Sequence, residues 1–254
     1  MSRLFAVRFV PTAVFLIAFC AFPFLHAQEK PAAKPQEASK RAAKKEDPYA
    51  WRPLFDGKTL DGWSKPVSGG DGDIEIKDGV IKIGMGAGIT GIKYEKVVPV
   101  RDYEIRYEAR RTVGGDFFAA LTFPVGDSHC TFVNGGWGGS TIGLSSIGGF
   151  DASENESTDH KGFKDRVWYG FRVRVTGKWI TVWIREMDKE GKWSKEEQVV
   201  RVNIEGKEIG LRFETDLYKP LALCTWVTAA ELKNIELRNM KPEEVDEDLK
   251  RGEK

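Results

Sequence analysis

Apolar and charged positions alternate through the middle of the chain. Residues 103–110 place an apolar side chain at every second position and a charged one between, which is the period-2 pattern of a strand with one buried and one exposed face. Residues 169–176 repeat this pattern, Gly177 and Lys178 predict a hairpin turn, and residues 179–184 predict the returning strand. The pattern predicts that five large side chains face a core: Trp63, Phe171, Val173, Ile180 and Val182.

The other predicted strands are short and are separated by Gly, Asp, Asn or Pro. They cover residues 74–76, 80–83, 117–123, 198–204, 207–213, 221–227 and 232–237. The 27 glycines and 8 tryptophans are typical of a sheet protein with tight turns and large core aromatics. We therefore predict an all-β fold in which two antiparallel sheets form a sandwich or jelly roll, as one domain over residues 49–240.

The first 27 residues have the three parts of a secretory signal peptide. Arg3 and Arg8 precede an apolar run at residues 10–25, and the small Ala27 follows it. The run is shorter than the roughly 20 residues that a spanning helix needs. We expect cleavage near Ala27 and a periplasmic or extracellular protein, with a retained membrane anchor or lipid attachment at Cys20 as alternatives.

The segments on either side of the domain are polar. Residues 28–48 contain no aromatic and no β-branched residue, which predicts a disordered linker that could tether the domain to the cell envelope. Residues 241–254 carry 6 acidic and 4 basic residues and predict a polar, solvated tail, with a frayed helix as the alternative. The predicted order along the chain is therefore signal peptide, linker, domain and tail.

Charge and motifs exclude several classes of function. The chain has 39 basic and 38 acidic residues, so no surface for nucleic acid is expected. It has no phosphate-binding glycine loop, no zinc spacing of Cys and His, and no Ser-His-Asp motif, so we predict no nucleotide partner and no cofactor. Cys130 and Cys224 lie in apolar or small-residue runs and are predicted to be buried free thiols, with one disulfide as the alternative.

Residues 54–63 carry the most specific motif. Asp56 and Gly57 form a turn dipeptide, and Phe55, Leu60 and Trp63 supply apolar anchors around it. This motif resembles the opening of the 3-keto-disaccharide hydrolase family. The resemblance continues through an Asp-Gly hairpin at residues 75–81, an Asp-Tyr-Glu-Ile-Arg strand that begins at Asp102, and a closing strand at residues 233–238.

The resemblance implies a concanavalin-like jelly roll and an enzyme that cleaves 3-keto-glycosides or related glycosides. The family also places a Glu and a Gln on one strand, and residues 114–118 and 138–144 offer no counterparts to that pattern. No catalytic residue is therefore carried over from the family. A non-catalytic, lectin-like module at the cell surface or in the periplasm is the alternative function, and a structural envelope protein is a third.

Cleavage of a 3-keto-glycoside needs a base, an electrophilic partner for the enolate and a planar platform for the sugar. The irregular segment 116–160 is the richest in suitable side chains. The predicted catalytic residues are His129, Asp116, Glu154 and His160, and the predicted substrate-binding residues are Trp137, Asn134 and Asn155. His129 is the first choice for the base because imidazole titrates near neutral pH, with a structural histidine as the alternative.

Residues 151–159 hold four carboxylates. Such a density of oxygen ligands makes the loop from Asp151 to Asp159 a candidate calcium site, although its spacing does not match an EF-hand. A solvated acidic loop is the favoured interpretation, and a calcium site is the alternative. We predict no other metal site.

Overall fold

The computed structural model describes residues 47–251. The expected signal peptide and nearly all of the expected linker lie outside the described residues. Fifteen described strands, numbered in chain order, form two antiparallel sheets. The predicted all-β, concanavalin-like jelly-roll sandwich is confirmed.

The first sheet contains the long central strands. Its spatial order is β13 (Glu197–Asn203), β12 (Trp179–Glu186), β11 (Tyr169–Val175), β6 (Tyr103–Gly114), β15 (Thr228–Asn239), β4 (Val80–Ile83) and β3 (Ile74–Lys77), and β1 (Arg52–Pro53) pairs with β15. The second sheet has the order β10 (Asp159–His160), β9 (Thr141–Ser145), β8 (Ser128–Gly135), β7 (Ala120–Val125), β14 (Leu221–Trp226), β5 (Ile89–Tyr94) and β2 (Trp63–Ser64).

One hydrophobic core lies between the sheets. Tyr107 of β6 pairs with Phe171 of β11, and their rings stack with centroids 5.0 Å apart. The five side chains predicted to face the core are all buried in it: Trp63, Phe171, Val173, Ile180 and Val182. Cys130 and Cys224 are buried free thiols, as predicted.

The predicted strand at residues 207–213 is wrong. After β13, residues 204–220 form the crossing segment, which passes over the outer face of the second sheet and ends in a 3-10 helix, Phe213–Tyr218. Its Gly210 exchanges backbone hydrogen bonds with Ser146, and its Tyr218 packs against Ala222 and Cys224 of β14. These backbone groups therefore pair with a loop and not with a strand.

The polar tail contains a helix, Pro242–Lys250. Glu244 accepts a hydrogen bond from the backbone N–H of Lys241 and so caps the helix start. Asp248 is fully buried and accepts hydrogen bonds from Arg174 and Arg201 of the first sheet. The helix thus docks on the outer face of that sheet. Within residues 47–251, no helix is long and apolar enough to span a membrane.

Candidate functional site

The outer face of the second sheet carries small and hydroxylated side chains. Ala120, Thr122, Thr131 and Ser145 alternate with core-facing residues along β7, β8 and β9. The crossing segment covers part of this face, and a cleft of about 210 Å³ opens beside it. The cleft is lined by Ile89, Asp116, Phe117, Thr131, Val133, Trp137, Ser145, Arg212, Glu214, Thr215 and Trp226.

Three aromatic side chains form one wall of the cleft. The rings of Phe117 and Trp226 have centroids 6.4 Å apart with their planes at 41°, and the backbone N–H of Trp226 donates to the carbonyl oxygen of Phe117 over 3.0 Å. Trp137 completes the wall. Trp137 and Trp226 are 46% and 37% exposed, so both rings are available to a ligand.

The backbone that presents these rings adopts unusual conformations. Trp137 has φ 48°, and Val227, next to Trp226, has φ 41°. Left-handed backbone is uncommon for residues other than glycine and is an outlier for a β-branched residue such as valine. Conformations of this kind cluster at functional sites, because the surrounding structure must hold them in place.

Asp116 holds the turn that carries Trp137. One carboxylate oxygen accepts the N–H of Phe117 at 2.7 Å, and the other accepts the N–H of Gly138 at 3.2 Å. Gly138 and Gly139 have φ of 88° and 106°, which only glycine adopts at low cost. Within the described residues Asp116 forms no salt bridge, and the hydrogen bonds that its carboxylate accepts come from backbone N–H groups.

The opposite wall is an ion-pair network built on Arg212. Its Nε and Nη2 donate to Glu214 over 3.1 and 3.0 Å, and its Nη1 donates to Asp151. Asp151 also accepts the hydroxyl of Ser145 at 2.6 Å. The hydrogen bond from Arg212 lowers the pKa of Glu214 despite partial burial. Glu214 is therefore ionised at neutral pH, and each of its carboxylate oxygens accepts one hydrogen bond from Arg212.

His129 does not line the cleft. It lies on the same outer face, opposite Pro124 and two residues before Thr131. Partial burial, and after it the charge of Lys219, lower its pKa. The imidazole is therefore neutral at pH 7, but its charged neighbours, Lys219 and Asp216, belong to the crossing segment and not to the cleft.

The other predicted site residues are separated from the cleft in the same way. His160 lies exposed in the edge strand β10, and Glu154 is exposed in the acidic loop. Asn134 is fully buried, and its amide both donates to and accepts from the backbone of Ala119. Asn155 donates to three backbone carbonyls, including that of Leu144. These amides organise loops and strand ends.

Of the seven predicted site residues, the structure brings Asp116 and Trp137 together in the cleft. Sequence reasoning missed Phe117, Trp226, Arg212 and Glu214. Phe117 and Trp226 were assigned to predicted strands, although Phe117 lies between β6 and β7 and Trp226 is the last residue of β14. No local pattern indicated that Arg212 and Glu214 would reach across the second sheet.

The acidic loop does not assemble a metal site in the described part of the chain. Asp151 is bound by Arg212 and Ser145, and Glu156 pairs with Lys207. Across residues 47–251, no three His, Cys, Asp or Glu side chains lie close enough together to hold a metal ion. The calcium site considered as an alternative for the loop from Asp151 to Asp159 therefore has no ligand group within residues 47–251.

Several solved structures resemble the chain at low identity. The exoplasmic/lumenal domain of VIP36, bound to Ca²⁺ and Man3GlcNAc, is 12% identical, with a TM-score of 0.48 over 75% of this chain and 91% of that one. A β-1,3-1,4-glucanase from a mouse hindgut metagenome is 9% identical, with a TM-score of 0.45 over 76% and 99%. The catalytic domain of a glycoside hydrolase family 131 protein from Coprinopsis cinerea is 12% identical, with a TM-score of 0.37 over 64% and 70%.

No curated protein sequence matches the chain. The sequence model of the 3-keto-alpha-glucoside-1,2-lyase-like domain matches residues 50–238, and this match confirms the resemblance of the opening and closing motifs. The chain therefore belongs to the family of 3-keto-alpha-glucoside-1,2-lyase-like domains.

Proposed function

We propose that the protein cleaves 3-keto-glycosides by elimination, with the cleft of the second sheet as the active site and Asp116 as the base. One observation carries this proposal: an unpaired carboxylate faces a small cavity whose wall is three aromatic rings. Aromatic walls with few convergent polar groups are typical of small-ligand sites. Family membership supports a keto-sugar as the ligand.

The chemistry needs one well-placed base. A ketone at carbon 3 of the sugar acidifies the hydrogen at carbon 2, and the Asp116 carboxylate takes that proton. The electrons of the C–H bond form an enolate. The enolate then reforms the ketone, a double bond forms between carbons 1 and 2, and the group at carbon 1 leaves with its bonding electrons. A proton from Asp116 or water completes the leaving alcohol.

The walls of the cleft orient the sugar for this step. Trp137 and Trp226 offer ring faces that pack against the C–H face of a sugar and exclude water from it. Ionised Glu214 accepts hydrogen bonds from hydroxyl groups on the opposite side. Asp116 also fixes the turn that carries Trp137. The proposed base therefore sets the position of the Trp137 ring relative to its own carboxylate.

Substitution of the base tests the proposal. We expect Asp116→Asn to lower kcat for release of nitrophenol from a nitrophenyl 3-keto-glucoside by about 100-fold or more, the usual scale for loss of a general base. Asp127→Asn is the matched control, because Asp127 is an exposed aspartate in the turn between β7 and β8. His129→Ala should keep full turnover. A folded His129→Ala variant without turnover would transfer the role of base to His129.

A second candidate function is sugar binding without turnover. It is favoured by the hydrogen bonds of the cleft, where Arg212 and the hydroxyl of Ser145 are both engaged by carboxylates. These groups are then less free to stabilise an enolate. In that case the wild-type protein would bind sugars and release no nitrophenol.

We also propose that the protein is exported and associates with the cell envelope through its linker. The apolar run at residues 10–25 and the small Ala27 support this location. N-terminal sequencing of the exported protein should find a start near Gln28. Recovery of an intact Met1 from the exported fraction would contradict the proposal.

A further inference from the structure

The tryptophans on the two outer faces differ in what covers their rings. On the first sheet each half-exposed tryptophan has a cation over its ring: Arg106 over Trp51, Arg110 and Lys233 over Trp168, Arg172 over Trp183, and Arg185 over Trp193, at 3.8 to 4.7 Å from the ring centroids. In the described part of the chain, Trp137 and Trp226 of the cleft have no such cation.

The cleft also has an excess of negative charge. Asp116 and Glu214 line it with Arg212 as the cation, and Arg212 is shared between Glu214 and a further carboxylate, Asp151. Arg212 therefore forms salt bridges with two carboxylates, Glu214 and Asp151. The carboxylate of Asp116, beside the aromatic rings, accepts hydrogen bonds from backbone N–H groups and forms no salt bridge within the described residues. Two or three aromatic faces beside one carboxylate form a site that attracts an organic cation.

We propose that the cleft selects a glycoside that carries a protonated amine, an amino sugar, over its neutral counterpart and rejects a uronic acid. This proposal rests on the proposed function, because it assumes that the same cleft binds a glycoside. The ammonium group would take the place that Arg or Lys takes over the tryptophans of the first sheet, with Asp116 as its counter-ion. Specificity against a uronate follows because its carboxylate would face Asp116 and Glu214.

Calorimetric titration of the full chain with three simple glycosides tests this preference. The probes are methyl glucosaminide with its amine protonated, methyl glucoside and methyl glucuronide. We expect the glucosaminide to bind about tenfold more tightly than the glucoside, the scale of one cation–π contact with a counter-ion. The glucuronide should bind more weakly than either. Equal affinities for the amine and the neutral sugar would overturn the proposal, as would tighter binding of the glucuronide.

Two further measurements assign the preference to Asp116. Asp116→Asn should reduce the difference between glucosaminide and glucoside to less than about twofold, while Asp127→Asn keeps it. In the wild-type protein, raising salt from about 50 mM to about 500 mM should weaken glucosaminide binding and leave glucoside binding unchanged. If Asp116→Asn does not fold, the salt series alone tests whether the preference is electrostatic. A preference that survives both changes contradicts the role of Asp116.

Turnover of a neutral 3-keto-glucoside separates this inference from the proposed function. If the neutral keto-glycoside is cleaved but the amine gives no gain in affinity, the amine preference alone is wrong. If the amine preference is present and no keto-glycoside is cleaved, the proposed reaction is wrong and the cleft is a binding site for amino sugars.

Discussion

The outer faces of the two sheets differ in how their charged and aromatic side chains are paired. On the first sheet the buried carboxylate of Glu104 accepts hydrogen bonds from Arg172, Arg174 and Arg238 at 2.7 to 2.8 Å. The face holds the larger cavity, about 570 Å³, yet arginine and glutamate side chains that pair with each other dominate its polar lining. On the second sheet the smaller cleft keeps aromatic rings exposed and leaves Asp116 unpaired.

This difference indicates which outer face contributes mainly to stability and which contributes to binding. Where each charge has a partner and each tryptophan has a cation, removal of one member leaves others unpaired, so the network contributes mainly to stability. Where two exposed tryptophans lack such partners, their substitution should cost little stability and should change binding. The smaller cavity is therefore the better candidate site, because its exposed tryptophans carry no cation and its Asp116 forms no salt bridge within the described residues.

The largest expected effect concerns the first sheet. Glu104→Gln should lower the free energy of unfolding by about 3–5 kcal/mol, because it leaves three arginines around an uncharged, buried partner. The matched control is Glu236→Gln, which removes the more exposed pair with Arg106 and should cost about 0–1 kcal/mol. Chemical denaturation of both variants measures the difference. Equal losses would show that the Glu104 network has no special weight.

A smaller effect is expected from the tryptophan of the cleft. Trp137→Ala should weaken sugar binding by about 1–3 kcal/mol, given the area and ring face that a tryptophan offers. Its thermal midpoint should stay close to that of the wild type. Trp193→Ala, on the first sheet, should leave sugar binding unchanged because its ring is covered by Arg185. Loss of binding in Trp193→Ala instead would move the site to the first sheet.

The smallest expected effect is the response of the first sheet to acid. Burial, the largest single influence, raises the pKa of Glu104, but the charges of Arg174, Arg172 and Arg238 together outweigh it and lower that pKa. Ionised Glu104 therefore stabilises the fold at every pH above the unfolded pKa of about 4.3, and this contribution disappears as pH falls through the lowered folded pKa. Thermal midpoints between about pH 6 and pH 3 should fall less steeply for Glu104→Gln than for the wild type. Parallel curves would contradict the pairing.

The sequence predicted the fold where alternation is regular. Strands β6 and β11 alternate apolar and charged residues because their outer face carries the arginine and glutamate network. This alternation made both strands predictable from the sequence. The second sheet was harder to predict. Both faces of β9 are buried, and the residues around its core-facing Ile142 and Leu144 are small or hydroxylated, so no alternation of apolar with charged residues marks it. The same small residues leave room for the cleft.

The candidate site was predicted in part. Asp116 and Trp137 were chosen because their residue types suit the chemistry, and Trp137 also lies in a glycine-rich loop. His129 was chosen by residue type as well, but the register of β8 places it outside the cleft lining. Arg212 and Glu214 reach the cleft through a tertiary crossing, whereas the sequence pattern assigned Arg212 to a strand that ended at Phe213. Local patterns could therefore not reveal the second wall.

The central claim is that Asp116 removes the proton at carbon 2 of a 3-keto-glycoside in the cleft. A nitrophenyl 3-keto-glucoside that carries deuterium at carbon 2 tests this claim most directly, with the wild type, Asp116→Asn and Asp127→Asn compared in parallel. We expect the wild type and Asp127→Asn to release nitrophenol more slowly from the deuterated substrate and to lose the deuterium from the sugar product. Asp116→Asn should be folded and about 100-fold or more slower. Retention of deuterium at carbon 2 during wild-type turnover, or full turnover by Asp116→Asn, would contradict the claim.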